Sequence, residues 1–285
     1  MKFLRFGPID QEKPGVLDSA GKIRDLSSLV KDLFPENLSR LSQLKTSDLE
    51  NFPLILGTPR IGSCLARPGK ILCIGYNSRL HTLQMGNAPS TNGELTVFLK
   101  PSSALTGPYD PIPYSAILQK LDWEAELGVV IGRKGKNIPP DRAGEHIFGY
   151  ACFNDLSERY WQFETADKQY TKGKGMDGFA PLGPYLVTQD SVPDPDNLKI
   201  SLRVNGELRQ DFSTSEYTNS PEMVVGYLSR FFTLYPGDLI AMGSGPGNAK
   251  FWGEDKFLKP GDRLELEIAG LGHQEQTVSQ VEKSP

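Results

Sequence analysis

Residues 121–132 constrain the fold most: Leu-Asp-Trp-Glu-Ala-Glu-Leu-Gly-Val-Val-Ile-Gly. Side chains alternate along a strand, so Glu124 and Glu126 point to one face, roughly 6.5–7 Å apart. Trp123, Ala125, Leu127 and Val129 point to the other. Taken alone, the two acids fit a solvated sheet face. A second apolar run, Gly149-Tyr150-Ala151-Cys152-Phe153-Asn154-Asp155, also ends in an acid. An acid at the end of a buried strand is poorly placed for simple solvation. Three carboxylates facing one cavity repel one another unless a cation lies between them. Oxygen-only ligands suit Mg²⁺, Mn²⁺ or Ca²⁺ rather than zinc. No His-Glu-x-x-His helix or cysteine cluster competes for a metal.

The rest of the chain predicts an α+β fold, with a small N-terminal domain over residues 1–66 and a β-rich domain over residues 67–285. Phe3, Leu4 and Phe6 open a strand. Residues 15–23 read as a hairpin around Asp18-Ser19. Residues 26–46 carry a helical pattern interrupted at Pro35, and residues 51–67, with Pro53, Pro59 and Gly62, read as a linker. Lys70 to Gly75 predicts a buried strand. Residues 198–210 predict a hairpin, because Asn205-Gly206 suits a type I′ turn. Ser220 caps a helix that starts at Pro221, with Met223, Tyr227, Leu228 and Phe231 on one face. Pro-Gly-Asp turns at 236–238 and 260–262 each introduce a strand. Residues 85–96, rich in Gly, Asn and Ser, are a lid candidate.

Bulk properties narrow the function classes. A net charge of −4 gives no basic face for nucleic acid. No run approaches the roughly 20 apolar residues of a membrane span, and residues 1–15 lack the apolar core of a signal peptide. Three scattered cysteines, Cys64, Cys73 and Cys152, read as reduced thiols in a cytoplasmic protein.

An ordered set of motifs then resembles the fumarylacetoacetate hydrolase family. The motifs are Gly75-Tyr76-Asn77 with His81, Asp122 to Leu127, Gly149-Tyr150, Asn154 to Arg159, Lys172-Gly173-Lys174 with Asp177, and Pro181-Leu182-Gly183-Pro184. Val204-Asn205-Gly206, Tyr227-Leu228-Ser229 and Pro236-Gly237-Asp238 follow in the same order. The opening Leu4-Arg5-Phe6-Gly7 with Pro14-Gly15 is similar to the bacterial branch that contains diketo-deoxy-sugar-acid hydrolases. The resemblance implies a mixed β-roll domain that dimerises and a metal, Mg²⁺ or Mn²⁺, on Glu124, Glu126 and Asp155. It also implies a small-molecule 2-keto acid substrate. It assigns His81, Gln84 and Lys174 to catalysis, and Arg159, Gln162, Ser244 and Asn77 to substrate binding.

Three departures stand out. The position matching the family's catalytic glutamate is Gln84, which can orient water but cannot accept a proton near neutral pH. The loop Ala241-Met242-Gly243-Ser244-Gly245-Pro246-Gly247 continues as Asn248-Ala249-Lys250-Phe251-Trp252, unlike the family's ending. Gly175 follows Lys174 where serine is usual. These changes surround the substrate rather than the metal. The leading expectation is a metal-dependent hydrolase of a 2,4-diketo acid. Loss of the glutamate keeps a second class open: a decarboxylase, tautomerase or hydratase with the same metal-enolate chemistry. A ligand-binding member without catalysis is the third.

Overall fold

The computed structural model describes residues 1–86 and 94–281. A nine-stranded mixed sheet organises it. Its spatial order is Ile23–Asp25, Lys13–Leu17, Lys2–Phe6, Leu186–Thr188, Ile147–Asn154, Ala125–Ile131, Leu239–Ala241, Ile71–Gly75 and Thr96–Lys100. The N-terminal strands are therefore continuous with the rest of the sheet. A five-stranded sheet contains the hairpin Lys199–Val204 and Glu207–Ser213, then Arg263–Ile268, Gly272–Gln280 and Ile112–Tyr114.

The two central strands, Ala125–Ile131 and Ile147–Asn154, are buried at every position. Both of their faces carry core. Leu127, Val129, Ile131, Tyr150 and Cys152 join one apolar cluster. Val130, Phe148, Ala151 and Phe153 join another, which includes Phe3, Val16 and Leu65 from the N-terminal segment. Two-sided burial explains why this stretch reads as a nearly unbroken apolar run.

Local signals hold where turn or cap chemistry is explicit. Asn205 and Gly206 both have positive φ, 52° and 79°, as a type I′ turn requires. The Ser220 hydroxyl accepts a hydrogen bond from the Met223 N–H at 3.3 Å and caps the helix Pro221–Ser229.

Three expectations change. Residues 26–46 are mostly turns, with a 3-10 turn at Pro35–Asn37 and a short helix at Leu38–Leu41. Leu26, Val30, Leu33, Leu38 and Leu41 are buried at helix-like spacing, but Pro35 interrupts the ladder and the pieces are too short to propagate. Residues 121–132 are not one strand, because pairing stops at Trp123 and Glu124. There, three consecutive backbone N–H groups donate to side chains: Trp123 to Asp122 at 2.8 Å, Glu124 to Asn154 at 3.1 Å and Ala125 to Gln210 at 3.0 Å. In the helix Pro221–Ser229, Val224, Val225 and Leu228 face the core, whereas Met223 and, just beyond it, Phe231 are exposed. The lid candidate, residues 85–96, runs through residues 87–93, which lie outside the described residues.

Gly149 sits where two strands close on one. A Cβ there would overlap the Val187 carbonyl and lie 3.0 Å from the Thr188 Cα, both backbone groups that cannot swing aside. Gly149→Ala is expected to lose at least about 2 kcal/mol, read as a lower urea midpoint with an unchanged slope.

Candidate metal centre and active site

The three acids gather at one end of the two central strands. Ala125 pairs with Asn154 and Glu126 with Phe153. One step further, the Asp155 N–H donates to the Glu124 carbonyl at 2.9 Å, so these two residues stand opposite each other. Glu126 lies two residues from Glu124 and shares its face. One carboxylate oxygen from each lies within 4.8 Å of the others, and all three residues are buried.

Like charges opposite each other destabilise a sheet, and three buried cations offset them. The Lys174 ammonium, at the end of the helix Tyr170–Lys174, bonds Glu124 and reaches the Asp155 carboxylate at 2.6 Å. Lys100 bonds the other Asp155 oxygen at 2.5 Å and the Leu156 carbonyl at 3.0 Å. Arg159 spans the group, donating to Glu124 at 2.6 Å, Asp122 at 2.8 Å and the Gln162 side-chain carbonyl at 2.8 Å. Burial works against ionised Glu124, yet Arg159 and Lys174 hold its pKa well below the usual carboxylate range. Burial likewise opposes the charge on Lys174, and Asp155 with Glu124 outweighs it, so its pKa is raised. For Lys100 burial wins over Asp155 and the pKa is lowered.

Glu126 is treated differently. Its carboxylate accepts the Gly243 N–H at 2.8 Å, and among the described residues no cationic side chain bonds it. Burial first, then Asp155 and Glu124, raise its pKa well above the usual range. A buried acid that lacks a cation, beside two others with oxygens converging on one point, fits a hard divalent ion with carboxylate ligands.

A family model described as fumarylacetoacetate (FAA) hydrolase C-terminal matches residues 70–279. The chain belongs to the fumarylacetoacetate hydrolase family. A Burkholderia orbicola protein, named only as a provisional hydrolase, is 45% identical over 277 residues, covering 96% of this chain and 97% of that one. Among solved structures, a fumarylacetoacetate hydrolase from psychrophilic Exiguobacterium antarcticum is 33% identical, with a TM-score of 0.86 over 99% of this chain and 100% of that one. A maleylpyruvate hydrolase from Sphingobium sp. SYK-6, in complex with manganese(II) and pyruvate, is 27% identical with a TM-score of 0.82, over 99% and 100%. The fold is thus that of this family, the α+β class its motifs predict, and the family is one of enzymes acting on small molecules. Among the described residues no helix is long and apolar enough to cross a membrane.

Around the triad, one cavity collects His81, Arg159, Gln162, Lys174 and Ser244 from the family motifs. His81 lies in the short helix Arg79–Gln84; its Nδ1 is buried without a hydrogen-bond partner, and its ring meets Phe251 edge-on at 5.8 Å. Burial lowers its pKa against the opposing pull of Glu124, which favours the neutral ring. Ser244 accepts a bond from Gln210 at 2.8 Å. Two expected site residues stand outside the wall. Asn77 is fully buried and clamps the backbone of Met242 and Asn219 at 2.9 and 3.1 Å. Gln84 is exposed, and its side-chain carbonyl accepts the Gly247 N–H at 3.3 Å.

Residue-level reading missed Lys100 and the role of Asp122. Lys100 ends the edge strand Thr96–Lys100, where a lysine reads as ordinary protection against edge pairing. Asp122 stood inside a recognised motif, but nothing in its spacing reveals that it grips Arg159 and also accepts the Ala249 N–H at 2.7 Å.

Metal binding at Glu126 requires loss of its proton. Mn²⁺ affinity is therefore expected to rise as the pH is raised above the usual carboxylate range, with proton release on binding. Calorimetry in two buffers of different ionisation enthalpy measures both. Glu126→Gln removes the proton release and most of the affinity; pH-independent affinity in the parent protein argues against this assignment.

Proposed function

We propose that this protein is a divalent-metal-dependent hydrolase that cleaves a carbon–carbon bond of a 2,4-diketo acid, with Mg²⁺ or Mn²⁺ on Glu124, Glu126 and Asp155. The observation that carries the reading is the convergence of that buried triad with Lys174, Arg159 and a neutral His81 in one cavity. The ion supplies Lewis acidity toward the oxygens of the keto acid. Arg159 and Gln162 are placed to hold the substrate carboxylate through the N–H donors that Asp122 and Glu124 leave free. Lys174 fixes the positions of Glu124 and Asp155 and adds positive charge where the departing enolate develops.

His81 lines the cavity and burial favours its neutral ring, which can take a proton from water. The hydroxide oxygen then adds to the C4 carbonyl carbon. The C3–C4 bond breaks, its electron pair stays on C3 as the enolate of the 2-keto acid, and the His81 proton returns to C3. The products are a 2-keto acid and a carboxylic acid. The complex of a similar maleylpyruvate hydrolase with manganese and pyruvate supports this chemistry.

A second reading is favoured by Gln84. Its amide is exposed, is tied to the Gly247 backbone and cannot accept a proton. His81 without a carboxylate partner suits proton shuttling to an enolate, as in decarboxylation or tautomerisation, better than activation of water.

Incubating the Mn²⁺-loaded protein with acylpyruvates and with oxaloacetate separates the readings. Pyruvate plus a carboxylic acid from acylpyruvate is the expected result. Carbon dioxide from oxaloacetate with acylpyruvate left intact would sink hydrolysis. Gln84→Glu is expected to raise acylpyruvate cleavage by roughly tenfold or more; an unchanged or lower rate counts against a water-activating role at this position.

A further inference from the structure

Most cations in the cavity wall already have a carboxylate. Lys100 bonds Asp155, Lys174 bonds Asp155 and Glu124, and Arg159 bonds Asp122 and Glu124. Lys250 is different. It lines the same cavity, yet among the described residues its ammonium has no carboxylate within ion-pair distance. It lies instead 4.7 Å from the centre of the Phe163 ring and 6.0 Å from that of Phe251. Cation–π contact orients an ammonium while leaving its N–H groups available to an anion.

The backbone that carries Lys250 is anchored to the catalytic groups. The Ala249 N–H donates at 2.7 Å to Asp122, the same carboxylate that holds Arg159 at 2.8 Å. The Asn248 amide donates to the Glu124 carboxylate at 3.2 Å and to the Trp123 carbonyl at 3.0 Å. Lys250 is thus fixed relative to the triad, but at a different depth. The triad is buried and Lys250 is exposed, so its ammonium marks the solvent end of the cavity. The same cavity wall also carries Ile74, Met85 and the aromatic rings of Tyr76, Phe98 and Tyr170. Lys250 also lies in the loop after Gly247 where the chain leaves the family pattern.

We propose that Lys250 recognises a second carboxylate at the far end of the substrate, making this site selective for dicarboxylic 2-keto acids with an apolar middle. The proposal rests on the keto-acid reading above. In it the buried end of the cavity takes the keto acid, and Lys250 is a specificity residue that takes no part in bond breaking.

Two keto acids of equal chain length test it by calorimetry on the Mn²⁺-loaded protein: 2-oxoadipate, with a second carboxylate, and 2-oxohexanoate, without one. The parent protein is expected to bind 2-oxoadipate about tenfold or more tightly. Lys250→Met is expected to abolish that preference while leaving 2-oxohexanoate affinity and Tm unchanged, and Lys250→Arg to retain it. Equal affinities in the parent protein, or a preference that survives in Lys250→Met, overturns the proposal and leaves the keto-acid reading standing. If neither acid binds the parent protein, the keto-acid reading falls and this proposal falls with it.

Discussion

One hydrogen bond, from the Asp155 N–H to the Glu124 carbonyl at 2.9 Å, sets the architecture of the site. It extends the register of the two central strands by one pair and brings carboxylates from residues 124, 126 and 155 onto one face. Nothing about that arrangement favours folding by itself. Buried carboxylates are dehydrated and repel one another. The surrounding fold compensates with Lys100, Lys174 and Arg159, supplied by three other segments of the chain. Glu126 alone is left without a cationic side chain, and its acidity shows the consequence.

Much of the remaining polar structure serves that cluster indirectly. Strand pairing stops at Trp123 and Glu124, and their N–H groups are satisfied by Asp122 and Asn154. Gln210 accepts from Ala125 and donates to Ser244, linking the hairpin, the central strand and the loop after Leu239–Ala241. Asp122 holds Arg159 on one side and Ala249 on the other. A side chain that binds two elements at once fixes one relative to the other, so these bonds tie the three acids to the cavity wall.

Glu126 lies on a strand buried on both faces, and Glu124 and Asp155 adjoin the ends of the two central strands. The groups that depart from the family pattern, Gln84 and residues 248–252, lie on a short helix and on a 3-10 turn with its flanks, outside the central strands. The Gln84 amide joins these two segments through Gly247.

The sequence by itself determined the elements whose cause is local. Alternation placed Glu124 and Glu126 on one face, Asn205-Gly206 set a turn that needs positive φ, and Ser220 with Pro221 started a helix. Ordered motifs extended this to the family and to the acid triad. Only the tertiary structure decided which side chains satisfy which charges. Lys100 reads in sequence as any edge-strand lysine, yet it bonds the Asp155 carboxylate, and Asn77 ties together the Met242 and Asn219 backbone. The helical spacing of residues 26–46 and the apolar stripe through Met223 were legible as patterns but misleading as structure. Periodicity records which residues are buried, not whether the ladder between them closes or which face the core covers. The partner of a buried charge comes from residues far away in the chain, and long-range proximity leaves no mark in local spacing.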